Sequence, residues 1–95
     1  MKFFVDKLVE TSDNKYLVVG NFTGYDGTSI NRMVRLNTDG TIDGTFNIGT
    51  GFNADVDDVI ETSDGKYLVG GSFTQYNGDG HNRIIKLDTD GSVIW

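Results

Sequence analysis

The chain has no cysteine, no proline, one histidine and one tryptophan. Without cysteine it can hold neither a disulfide staple nor a thiolate metal site. Without proline, its tight turns must come from glycine, asparagine and aspartate, which tolerate a positive φ; glycine is abundant at 13 residues. Basic residues are also few. Eight Lys and Arg face 14 Asp and Glu, a net charge of −6. That balance argues against nucleic acid, whose phosphates require a basic face, and against docking on anionic membranes. No apolar run approaches the ~20 residues of a membrane span. Met1–Val5 is followed too soon by Asp6 and Lys7 to act as a signal peptide. Neither a signal peptide nor a transmembrane segment is expected in this chain, and the compartment stays open.

What is present is a duplication. Val5–Asp43 lies over Val56–Ile94 without a gap, and 21 of the 39 pairs are identical. At its centre, Lys15-Tyr16-Leu17-Val18-Val19-Gly20-Asn21-Phe22 matches Lys66-Tyr67-Leu68-Val69-Gly70-Gly71-Ser72-Phe73, 51 residues later. A long repeat period with turn signals inside each unit marks a propeller or similar array. A 95-residue globule buries only roughly 60–65 % of its unfolded surface, so its core is marginal unless something adds to it.

Each unit reads as four short strands. In the first unit they are Val5–Glu10, Tyr16–Thr23, Asn31–Asn37 and Thr41–Phe46; in the second, Val56–Glu61, Tyr67–Thr74, Asn82–Asp88 and Ser92–Trp95. Tight turns are expected at Ser12–Lys15 and Thr38–Thr41 and their copies. A longer loop, Gly24–Ile30 or Gln75–His81, joins the second and third strands. No segment has a helical period. Tyr16, Val18, Gly20 and Phe22 alternate with Leu17, Val19 and Asn21, so both faces of the second strand are apolar and both should be covered. The expected fold class is therefore all-β. Two four-stranded antiparallel propeller blades, residues 1–46 and 56–95, are joined by a link at 47–55. Tyr16, Phe22, Tyr67 and Phe73 should fill the space between blades, and Gly20 and Gly71 should let a neighbour's ring approach the sheet.

These residues resemble a known family. Asp64-Gly65-Lys66-Tyr67-Leu68-Val69-Gly70-Gly71-Ser72-Phe73-Thr74, then Asn77-Gly78, then Asn82–Val93, look like the "delta-sixty" repeat, a bacterial and phage propeller family of unassigned function. Asp43–Phe52 is similar to that family's link between repeats. Kelch repeats are a second resemblance, carried by Gly70-Gly71 after an apolar strand and by Trp95 near the unit's end. The first unit departs from kelch, with Val19-Gly20 and no matching tryptophan. Delta-sixty proteins usually carry many repeats. The resemblance thus implies that two repeats either belong to a longer chain or assemble.

Candidate chemistry is sparse. Asn37–Gly40 and Asp88–Gly91 open like a calcium loop but lack its third ligand and closing glutamate. Asn53, Asp55, Asp57 and Asp58, with Asp6 matching Asp57, fall near the innermost strands, as solvated acids or as partners of Arg32 and Arg83. No metal site and no cofactor is expected. His81 is a lone loop histidine, no serine has a glycine-elbow setting, and no glycine-rich loop leads into a helix. The second-to-third-strand loops differ between units, and binding residues favour such loops. Tyr25, Tyr76, Asn77, Asp79 and His81 are therefore the candidate ligand residues, suited to a glycan or a polar small molecule; both tyrosines could instead pack under their own loops.

A non-enzymatic module is expected, acting as a lectin-like or structural scaffold. The alternative is a hydrolase-like enzyme whose site forms at subunit junctions. Two blades leave two outer faces open, and those faces differ, so association with further copies is expected to be head-to-tail and to close. Four blades force a tight centre, and the medium or long inner-strand residues Val5, Lys7, Leu8, Val56 and Val59 favour a wider ring. A homotrimeric six-bladed ring is the favoured assembly, with dimer and tetramer as alternatives.

Overall fold

Period-two runs punctuated by Gly, Asn and Asp produce ten short strands among residues 4–95, the part of the chain that the structure, a computed structural model, describes. The first unit contains β1 (Val5–Glu10), β2 (Tyr16–Gly20), β3 (Gly24–Tyr25), β4 (Thr28–Ser29) and β5 (Met33–Leu36). The second contains β6 (Val56–Glu61), β7 (Tyr67–Gly71), β8 (Gln75–Tyr76), β9 (Asp79–Gly80) and β10 (Ile84–Leu87). The described residues contain no helix.

Each unit is an antiparallel sheet, ordered β1-β2-β5 and β6-β7-β10, with a two-stranded ribbon inserted between its second and third strands. The turn chemistry is the same in both units. Thr11 N–H donates to the Lys15 carbonyl at 2.8 Å while the Thr11 hydroxyl meets the Asp13 carboxylate. Asn14 and Gly65 take the positive φ that this turn needs, at 68° and 79°. The Asp39 carboxylate caps the next turn, accepting from Thr41 N–H at 3.0 Å and its hydroxyl at 2.6 Å.

Three expectations are corrected. The fourth strand shrinks to single bridges, Leu36 to Ile42 and Leu87 to Val93. In the first unit the Asp43 N–H still donates to the Arg35 carbonyl at 2.8 Å, after which the Asp43 carboxylate bonds to Thr45 and the chain turns away. The long loops are not irregular: each is a hairpin, with Asp26 and Gly27, or Asn77 and Gly78, both at positive φ. Gly20 and Gly71 do not make room for a neighbour's ring. A Cβ at Gly20 would lie 2.0 Å from the Phe4 carbonyl oxygen, and one at Gly71 would lie 2.3 Å from that of Asp55. Both glycines admit the backbone of their own sheet's edge strand, at the register shifts between Val5 and Lys7 and between Val56 and Asp58.

Alternation gives each sheet two faces. The back carries Leu17, Val19 and Met33 in the first unit and Leu68, Gly70 and Ile84 in the second. The front carries Tyr16, Val18 and Val34, or Tyr67, Val69 and Ile85. The core forms where the back of the first unit meets the front of the second: Leu17, Val19 and Met33 are fully buried together with Tyr67, Val69 and Ile85. β1 and β2 both lie beside β6, so the sheets converge at their first strands.

Candidate functional site

The junction between the units is where the chain concentrates its buried chemistry. Strand alternation puts Arg35 on the back of the first sheet, opposite Leu17, and the apolar packing around it leaves the side chain only 5 % exposed. A guanidinium there must be paired. Its Nε donates to Asp43 Oδ2 at 3.0 Å and its Nη2 to the Thr45 hydroxyl at 3.0 Å. Its Nη1 crosses to the second unit, donating to the Tyr67 hydroxyl at 3.0 Å and to the Thr89 carbonyl at 2.6 Å. The Phe46 ring lies 4.9 Å from the guanidinium carbon.

Asp43 is held well below the usual carboxylate range, at about 2. The Thr45 hydroxyl is the main cause, followed by the Thr45 N–H and the Arg35 charge, together outweighing burial. Burial pushes the Tyr67 hydroxyl up, partly offset by Arg35.

Two polar contacts flank this knot. Lys7 Nζ sits 3.3 Å from Asp58 Oδ1 between the first strands of the two sheets. Ser12 gives its N–H and hydroxyl to the two oxygens of Glu61, at 2.7 and 2.6 Å. The segment after Asp43 then covers the front of the second sheet. Phe46 meets Tyr67 edge-on at 5.7 Å, and Phe52 lies 4.6 Å from Phe73 and 4.8 Å from Tyr76.

The candidate ligand residues do not converge on one site. Tyr76 is 2 % exposed, and burial pushes its hydroxyl up. That hydroxyl donates to the Gly91 carbonyl at 2.5 Å, as Tyr25 donates to Gly40 at 2.6 Å. Each tyrosine pins its hairpin along the blade to the turn after the third strand, so Tyr76 offers no ring face for stacking. Asn77 is spent on the link, its N–H donating to Gly51 and its Oδ1 accepting from Thr50 N–H at 3.0 Å. Asp79 is exposed, and the half-buried His81 bonds through its backbone N–H to Thr74.

Tyr67 and Phe73 are buried in the core between the units, and their equivalents Tyr16 and Phe22 lie on the front of the first sheet, the face that the internal junction leaves open. Arg32 and Arg83 form no ion pair among the described residues. Both take a left-handed backbone, at φ 73° and 69°, and Arg32 Nη1 donates to the Phe52 carbonyl at 3.0 Å. The paired arginine is Arg35, which sequence reasoning passed over. An Arg inside the otherwise apolar run Met33–Leu36, with Asp43 eight positions on, was the available signal.

Two apolar hollows mark the faces that the junction leaves open. One, of about 180 Å³, is lined by Ile60, Leu68, Gly70 and Ile84 on the back of the second sheet. The other, of about 170 Å³, is lined by Val18, Phe22, Tyr25 and Val34 on the front of the first.

No curated protein and no solved structure matches the chain. A family model described as "Domain of unknown function (DUF5122) beta-propeller" matches residues 11–46 and 62–93, one stretch in each unit. Those stretches cover well over half of the sequence and contain β2 to β5 and β7 to β10, so the chain belongs to the DUF5122 β-propeller family.

Proposed function

We propose that this chain is a non-enzymatic propeller module that closes into a ring with copies of itself and serves as a binding or structural scaffold. The observation that carries the reading is the pairing of unlike faces at the internal junction. The back of one blade is complementary to the front of the next, and one face of each kind is left over. The open back of the second blade has Ile60, Leu68 and Ile84 where the buried back of the first has Val9, Leu17 and Met33. Ile60 and Ile84 are about half exposed, at 48 % and 51 %. Apolar faces of this kind are rarely left open in soluble monomers.

Contact between unlike faces is heterologous, and such a contact closes into a ring or runs on as a fibre. Convergence of the sheets at β1 and β6 supports closure. Propellers typically have four to eight blades, and a homotrimer with six best accommodates the inner-strand side chains. The likeness to delta-sixty repeats belongs to the same reading. Exposed hairpin residues such as Asp79 leave room for a polar ligand such as a glycan on the ring's rim, without a catalytic group. Native mass spectrometry of the 95-residue chain at micromolar concentration tests the assembly. A trimer is expected; a folded, soluble monomer of 10.4 kDa overturns it.

A further inference from the structure

We propose that Lys7 and Asp58 form a belt of alternating charge around the axis of the ring, with each Lys7 standing between the Asp58 of its own chain and the Asp58 of the next copy. The inference rests on the ring assembly proposed above. It starts from the pair seen inside the chain, Lys7 Nζ to Asp58 Oδ1 at 3.3 Å, where β1 meets β6. Lys7 and Asp58 occupy the same position of the repeat, 51 residues apart.

At a junction between copies the roles exchange. The back of the second blade brings Asp58 to the place that Lys7 holds inside the chain. The innermost strand of the neighbour's first blade brings Lys7 to the place that Asp58 holds inside the chain, since the two are equivalent positions, opposite Val19 and Gly70. Opposite charges therefore meet at both kinds of junction. This follows only because the two equivalent positions carry opposite signs. The adjacent equivalent pair, Asp6 and Asp57, has the same sign in both units and could not do it. Lys7 and Asp58 keep side-chain exposures of 45 % and 62 %, which leaves each room for a second partner. A lysine ammonium, a compact charge with three donors on a flexible stem, is suited to two carboxylates.

A second contact transfers in the same register. Ser12 donates twice to Glu61 across the internal junction. The equivalent residues are Ser63 and Glu10, identical in type and both exposed, so Ser63 of one copy faces Glu10 of the next.

Four proteins test the belt: the native chain, Lys7→Asp, Asp58→Lys and the double exchange Lys7→Asp with Asp58→Lys. Each single substitution places like charges at every junction, and the double restores opposite charges at all of them. Native mass spectrometry and light scattering at low salt should show association weakened at least about tenfold in both singles and recovered in the double. Circular dichroism melts establish that each variant is folded. At about 1 M salt, where the Debye length is about 3 Å, the singles should regain most of the loss. Singles that assemble as well as a ring-forming native chain overturn the belt and leave the ring standing. A double exchange that does not recover also overturns it. A native chain that stays monomeric overturns the ring and the belt together.

Discussion

Arg35 on the back of the first sheet donates to the Tyr67 hydroxyl on the front of the second, at 3.0 Å. The same guanidinium is fixed from its own side by Asp43 and Thr45. This is the only point at which a charged side chain that is almost fully buried spans the two units among the described residues. It sets how the units are rotated against each other, because a planar fork of donors tolerates little misalignment. Arg35→Ala should destabilise the chain by up to about 3–5 kcal/mol, since it breaks a buried ion pair and leaves the Asp43 carboxylate only Thr45 and the more distant Lys15, at 3.7 Å. Arg35→Lys should recover only part of that loss. The double variant with Asp43→Ala should cost less than the two single losses added together. Urea unfolding curves measure all three. A loss below about 1 kcal/mol for Arg35→Ala would mean that apolar packing alone orients the units.

The same network makes the junction sensitive to acid. The folded-state pKa of Asp43 is about 2, lowered from 3.8. A depressed carboxyl pKa means that the unfolded chain binds the proton more readily. Its contribution is therefore fully present above about pH 4 and is lost as the pH falls through about 2. Asp64, also held at about 2 by the Thr62 hydroxyl and Lys86, shifts stability in the same direction. The melting temperature should drop between pH 4 and pH 2. Asp43→Asn should be less stable at neutral pH and show a shallower drop. A native chain with a flat profile across that range would contradict the bonding seen around Asp43.

Two adjacent glycines should respond in opposite ways. A Cβ at Gly71 would stand 2.3 Å from the Asp55 carbonyl oxygen and 2.8 Å from the Val56 Cα, both backbone atoms that cannot swing aside. At Gly70 the nearest atom would be 3.7 Å away, an ordinary contact, and its φ is not in the left-handed region. Gly71→Ala should therefore destabilise by about 1–3 kcal/mol. Gly70→Ala should be neutral or gain a few tenths through the unfolded state. Thermal melts of the two variants at low protein concentration decide it. Equal effects would remove the edge-strand bulge as the reason for Gly71.

The contrast between these glycines shows where the sequence was readable. The gapless duplication and period-two runs located β1, β2, β6 and β7 at their first residues, and the Ser-Asp and Asp-Gly turns explained themselves. Alternation also separated Leu17 and Val19 from Tyr16 and Val18. It could not say which of those faces is covered, because both are apolar and the answer depends on the neighbouring sheet. Asp26-Gly27 and Asn77-Gly78 are strong hairpin signals, but strands of two residues are too short to show a period. Ile42 and Val93 looked like members of a fourth strand. Only one bridge forms at each, and in the first unit Asp43 then serves Arg35 as the chain leaves for the next unit. Tyr25 and Tyr76 sat at equal positions in unequal loops. The equality was the informative part, since both hydroxyls close onto the same turn.

The last prediction uses two leucines that the repeat makes equivalent and the fold makes different. Leu17 is fully buried at the internal junction, whereas Leu68 lines the hollow on the open back of the second blade. In the isolated chain Leu17→Ala should cost about 2–5 kcal/mol, as truncation in a packed core does. Leu68→Ala should cost much less, because little packs against it from outside. Assembly changes the comparison. If the back of the second blade seats on another copy, Leu68 takes up the environment of Leu17, and binding of the folded state raises the apparent stability with concentration. Melting temperatures of the native chain should then rise from nanomolar to high micromolar protein. Those of Leu68→Ala should stay flat, and Leu17→Ala should be low at every concentration. Parallel rises in the native chain and in Leu68→Ala would place the contact between copies on some other surface.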